Sequence, residues 1–281
     1  MGALYCMAKD FDPGDDIDDF REYMINNNSE IRILTPEEFL NHLYAVGDFS
    51  EFGRYKVLER IKLPSIDYKH KINLGKGIFA EGFDCAVANF LNDFNCGKSI
   101  FVNCFSCEVA NFISFTCARA IYLNGFDCGF ATFKGPFDCD EAIFCNFFLC
   151  CEATFKESFH CSWSIFKEYF HCGIATFFGK FYCASAQFNG IFICAQPTFY
   201  KNFNCDYAKF KKVDATNNYA LGMVIHHYKL SGVSFSIKHF SSPQEKITPE
   251  KRPAEKKGIP TDENFRKTLL KRFSKNTKEE K

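Results

Sequence analysis

Phe126-Asp127-Cys128-Gly129-Phe130-Ala131-Thr132-Phe133-Lys134-Gly135-Pro136 is followed at once by Phe137-Asp138-Cys139-Asp140-Glu141-Ala142-Ile143-Phe144-Cys145-Asn146-Phe147, and the second stretch repeats the first eleven residues on. The shared pattern is Phe-x-Cys-x-x-Ala-x-Phe. Its first Phe recurs at Phe83, Phe94, Phe105, Phe115, Phe126, Phe137, Phe148, Phe159, Phe170, Phe181, Phe192 and Phe203, with one ten-residue step after Phe105 that marks a single deletion. Self-similarity at a fixed short period over such a span means a solenoid.

The apolar positions of each unit are 1, 3, 6 and 8, as in Phe126, Cys128, Ala131 and Phe133. On a helix they would scatter round the axis, whereas positions two apart share one face of a strand. Each unit therefore reads as two short strands, one carrying Phe and Cys inward and the other Ala and Phe, a large group beside a small one. Position 7 should face outward. It is Asn89, Asn111, Thr132, Thr154, Thr176 and Thr198 in one set of units, and Ile100, Ile121, Ile143, Ile165, Gln187 and Lys209 in the alternate set. Residues 22 apart match better than residues 11 apart, so one coil is two units with four sides. The phase extends upstream through Ile72, Leu74, Gly77 and Phe79, and more faintly through Ile61, Leu63, Ile66 and Tyr68. The expectation is an all-β solenoid over residues 61–212, of about seven coils at ~4.8 Å per strand step.

Ala131-Thr132-Phe133-Lys134-Gly135, with the stretches 153–157 and 175–179, resembles the small-polar-large-x-x pentapeptide of the pentapeptide-repeat proteins. The resemblance covers about half the chain and implies a right-handed quadrilateral β-helix. Alternate sides depart from it, reading Phe-x-Cys with the large group displaced by two, and a sixth residue is added once per unit. The family's fold serves unrelated roles. The resemblance therefore implies a non-catalytic scaffold, an inhibitor of a DNA topoisomerase that imitates duplex DNA, or a bacterial protein delivered into a host cell.

Net charge is zero overall but uneven: residues 1–76 hold 10 basic and 14 acidic groups, residues 77–210 hold 8 and 12, and residues 211–281 hold 16 and 8. Twelve acidic groups against eight on the rod make a weak field beside a phosphate charge every ~1.7 Å of duplex. No aromatic interleaving on a strand platform supports direct nucleic-acid binding by the tail.

Of sixteen cysteines, twelve occupy position 3, and Cys6, Cys104, Cys145 and Cys151 lie off register. Cysteine-dense secreted scaffolds are small and loop-rich, unlike this chain, and its opening residues do not read as a signal peptide. Cys104-x-x-Cys107 is one half of a zinc spacing with no second half. Small, polarizable core thiols are the expected role, which implies a reducing, cytoplasmic compartment and neither metal nor cofactor. Gly97-Lys98-Ser99 ends like a phosphate loop, but Asn92 stands where the earlier Gly belongs. His160, His171 and His226-His227 read as surface histidines. No nucleophile, base or cofactor loop emerges, so no enzyme is expected.

The outer columns are the candidate surface. Ile78, Ile100, Ile121, Ile143 and Ile165, with Trp163 nearby, form an apolar stripe on an outward side, and Val87, Val109, Phe130 and Ile174 at position 5 form a partial second one. Contiguous strips of this length touch something: the chain's own ends, a second copy in a homodimer, or an unidentified protein partner. The threonine column is single, whereas ice binding needs two, and threonine is a good strand residue in any case.

Thr35-Pro36-Glu37-Glu38 is a helix start, with cap, Pro at N1 and Glu at N3, leading to Phe39, Leu40 and Leu43. Residues 1–60 are expected to form an acidic region with a helical cap, and residues 213–240, rich in apolar groups from Asn217 to Tyr228, a small helical cap at the other end. Residues 241–281 read as a Pro-punctuated linker and then a basic amphipathic helix. Its apolar side is Phe265, Leu269, Leu270 and Phe273 among Arg266, Lys267, Lys271 and Arg272, a pattern that suits an acidic membrane surface, a partner groove or the rod itself.

Overall fold

Two-residue spacing of large apolar groups leaves the chain no helical face to bury, and each unit folds as two strands of mostly two or three residues separated by turns. The computed structural model describes residues 31–201, 203–214 and 234–236, and they form a parallel β-solenoid of about eight turns with little helix. Two compact units divide the chain, Met1–Phe240 and Ser241–Lys281, and every described residue belongs to the first. The expected cap at Asn217–Tyr228, the linker and the tail helix from Phe265 to Phe273 lie outside the described residues.

Register follows the sequence period directly. Thr132 pairs with Thr154, Thr154 with Thr176 and Thr176 with Thr198, each 22 residues on. Where the deletion falls, Ile100 pairs with Ile121 and Phe105 with Phe126, each 21 on. Its cost is one register shift, between Phe112 and Ser114. Longer strands, Asn89–Asn95, Asn111–Thr116, Gln187–Ile193 and Lys209–Asp214, run round a corner and join neighbouring columns into sheets of 16 and 12 strands.

Phenyl rings fill the interior as parallel stacks. Phe126, Phe148, Phe170 and Phe192 follow one another at 4.9 to 5.0 Å with planes within 6°. Adjacent stacks meet edge to face, as Phe144 meets Phe148 at 4.9 Å and 84°. Offset stacks and T-shaped contacts are the two arrangements that the ring quadrupole favours, at ~0.5–1.5 kcal/mol per pair beyond burial. Beside them the in-register thiols from Cys85 to Cys205 are all buried and unpaired by disulfides.

The ladder starts earlier than the sequence phase implies. Strand β1 (Arg32–Leu34) pairs with β2 (Arg54–Val57), which pairs with Lys76–Phe79. Between them helix α1 (Pro36–Ala45) carries the expected capping box, with the Thr35 side chain accepting from Glu38 N–H and the Glu38 carboxylate accepting from Thr35 N–H. Phe39 and Leu43 of α1 are buried, and Phe39 stacks on Phe49 at 4.7 Å and meets Phe79 and Phe83 edge-on. The helix thereby closes the ring stacks at the first coils with its own apolar face.

Candidate interaction surface

Position 5 of every unit has a positive φ, between 57° and 65°, from Val87 through Lys98, Val109, Arg119, Phe130, Glu141, Glu152, Trp163, Ile174, Ser185 and Gln196 to Tyr207. In eleven of the twelve units it is the third residue of a turn in which the position 6 N–H donates to the position 3 carbonyl, as Ala131 does to Cys128 at 3.1 Å; in the unit of Gln196, position 6 is Pro197, which has no N–H to give. Glycine is the usual occupant of such a site, yet none of the twelve is glycine. The turn is held instead by the next coil: Val87 N–H donates to Glu108 C=O, Val109 to Gly129, Phe130 to Cys151 and Ile174 to Ala195, at 2.8 to 3.0 Å. No sequence signal marks this geometry, because the bonds that impose it come from residues one coil away.

The left-handed turn throws its third side chain out from the rod. Val87 is 50% exposed, Val109 48%, Phe130 40% and Ile174 43%, so the partial stripe read from the sequence is an accessible apolar column. Around the next side, Leu91, Ile113, Phe178 and Tyr200 are exposed two residues beyond the Asn and Thr column, and Phe178 stacks on Tyr200 at 4.7 Å. Trp163 is exposed at the corresponding turn of the alternate units, where Arg119 and Glu141 pair through two hydrogen bonds of 2.8 and 2.9 Å. The Arg119 guanidinium holds the Glu141 carboxyl below its usual range, whereas partial burial raises that of nearby Asp140 despite a bond from Ser162 N–H.

The isoleucine column does not form the accessible stripe that the sequence suggests. Ile78, Ile100, Ile121, Ile143 and Ile165 point away from the lumen, yet within the single chain they are 0 to 4% exposed. Val102, Leu123 and Cys145, two residues beyond Ile100, Ile121 and Ile143, lie beside them, and the two columns make a second apolar cluster separate from the ring stacks. Ile31 packs against it. Pointing outward from a coil is not the same as facing water, and two adjacent apolar columns demand a cover. Position 9, with Val102, Leu123 and Cys145, was the missed signal, since its alternation with position 7 marks that side as apolar across its width. Trp163, on a different corner, does not share the burial.

Other sequence candidates also find definite places. His171 is buried, not superficial, and its Nδ1 hydrogen-bonds the Cys151 thiol. His160 is half-buried, stacked on Tyr182 at 4.8 Å. At Gly97-Lys98-Ser99 the amides are consumed internally, Gly97 N–H by Asn95 Oδ1 and Lys98 N–H by Ala118 C=O, so no phosphate cradle forms although a groove of ≈ 460 Å³ opens beside Lys76 and Lys98. Burial raises the pKa of every in-register thiol, to about 12 for Cys128 and about 11 for Cys205, which removes them as nucleophiles at neutral pH. Among the described residues no group of three His, Cys, Asp or Glu side chains converges on a metal position, and no helix is long and apolar enough to cross a membrane.

Comparison of the chain with protein-family models, with curated proteins and with solved structures returned no match.

Proposed function

We propose that this protein is a non-catalytic scaffold of the pentapeptide-repeat type, a right-handed quadrilateral β-helix that works in a reducing cytoplasm by presenting outward columns to a protein partner. The observation that carries this reading is the exposed apolar column Val87, Val109, Phe130 and Ile174, mounted on turns that the neighbouring coils fix. Val87, Val109 and Phe130 sit one strand step apart and Ile174 two steps beyond Phe130, with Glu152 between them, all on a rigid support, so little ordering entropy opposes docking. A repeating row of this kind suits an elongated partner surface with a matching ~4.8 Å step, such as a strand or an extended peptide. Imitation of DNA fits less well, because twelve acidic groups over residues 77–210 are offset by eight basic ones.

The test is capture from the native source with wild-type protein and with Val87→Asp/Val109→Asp. Asp tolerates a positive φ better than Val, so the variant keeps the wild-type circular dichroism and melting temperature. Loss of a co-purified protein in the folded variant is expected. Retention of every partner would remove this column from the mechanism.

A further inference from the structure

One corner of the first coils carries cations where the opposite set of units carries apolar groups. Arg54 pairs in register with Lys76, and Lys98 follows Lys76 as Ile100 follows Ile78, so the three stand one strand step of ~4.8 Å apart. Among the described residues no carboxylate pairs with any of them, whereas Arg119, next in the row, is tied to Glu141. Like charges at this spacing repel, and an anion laid along them removes the repulsion. The groove of ≈ 460 Å³ opens beside Lys76 and Lys98, within the ~300–1,000 Å³ of small-ligand sites. Small residues hollow it: Gly75, Gly97 and Ala118 occupy successive levels where the next two coils place Asp140 and Ser162.

The wall of the groove is a ladder of Asn73, Asn95 and Thr116, in register with one another. Asn95 Oδ1 accepts from Gly97 N–H at 2.8 Å, which fixes the amide and leaves its amino group, like the Thr116 hydroxyl, unbonded among the described residues. Asp48, beside the groove, is already engaged by Ser50 N–H and Asn73 Nδ2, both at 2.9 Å, and Asp93 faces Lys71 at 4.0 Å. The free groups are therefore donors and cations, all from side chains, since the backbone amides are spent within the fold. A concave site lined by one sign of charge concentrates counter-ions, and lysine ammonium groups serve phosphate as point charges. No aromatic ring lines the groove, so nothing there stacks a base. We propose that this groove binds a short oligophosphate chain, free or carried by a nucleotide, with Lys76 and Lys98 on successive phosphoryl groups, Arg54 at the end of the row, and Asn95 and Thr116 donating from the wall. The site stands apart from the position 5 column and from whatever that column binds.

Equilibrium dialysis of radiolabelled tripolyphosphate against the full-length chain, at ~0.15 M salt, should show one saturable site. Lys76→Ala/Lys98→Ala removes two exposed side chains and should weaken binding by about tenfold or more. Lys134→Ala/Lys156→Ala is the control, because these lysines are also exposed and one strand step apart but do not line the groove, and it should bind as the wild type does. ATP should compete about as well as unlabelled tripolyphosphate, and adenosine should not compete. Absence of saturable binding, binding that survives Lys76→Ala/Lys98→Ala, an equal loss in the two double variants, or competition by adenosine would each overturn the assignment. Lysine acetylation of the wild type, read by peptide mass, needs no variant to fold. Tripolyphosphate should protect Lys76 and Lys98 and leave Lys134 and Lys156 at their free rates; equal protection of all four would reduce the site to bare charge and overturn it.

Discussion

A thiol packed among phenyl rings cannot share its charge with water, and twelve of them in one rod tie stability to alkali. Burial is the leading cause at each, lifting Cys205 from 9.0 to about 11 and Cys128 from 9.0 to about 12. The folded chain thus keeps protons that the unfolded chain gives up. Stability is complete below pH ~9 and is lost as pH climbs toward the folded values, by up to ~1.4 kcal/mol per pH unit for each thiol. We expect the urea midpoint to hold steady from pH 7 to 8.5 and to collapse between pH 9 and 11, with refolding on return to neutral pH. A flat profile through pH 11 would mean that the thiols are not confined as described. The inward role of these residues was readable from the sequence because size and polarity at positions 1, 3, 6 and 8 have to match a narrow interior. The burial of His171 was not, because it depends on Cys151 arriving from the neighbouring coil.

At the scale of the element, the left-handed turn is held against the preference of its own residues. Val109 at φ 61° pays the steric cost of a β-branched side chain in that region, about 1–2 kcal/mol. Glycine removes the cost and gives back part of it as lost chain entropy. Val109→Gly should therefore raise stability, by roughly 0.5–1 kcal/mol, and thermal melts should show a higher midpoint; a lower one would show that the exposed side chain contributes packing. This is also where sequence and structure part. Helix α1 was legible because its signals are local: Thr35, Pro36 and Glu38 make the capping box among themselves. Val, Lys, Arg and Phe at position 5 announce no turn, since the φ there is enforced by the ladder.

For the whole molecule, a solenoid divides its stability among neighbours along one axis. Phe126 touches stacked rings above and below, Phe105 and Phe148, whereas Phe203 has Phe181 on one side and is 7% exposed. Phe126→Ala should cost ~3–5 kcal/mol and Phe203→Ala clearly less, a gradient that hydrogen exchange can map coil by coil. Equal losses would argue against independent coils. The period, the coil length and the lumen were legible because the repeat itself carries them. The contrast between the buried isoleucine side and the open threonine side was not read, because position 7 alone makes both look like outward columns; the second column of Val102, Leu123 and Cys145 beside the isoleucines is what joins them into a buried cluster. Finally, the placement of the sole tryptophan makes this chain its own optical sensor. Trp163, at 66% exposure, already emits into water when folded. Unfolding will scarcely shift its emission, while anything that settles on that corner will move it to the blue, so its fluorescence reports company rather than integrity.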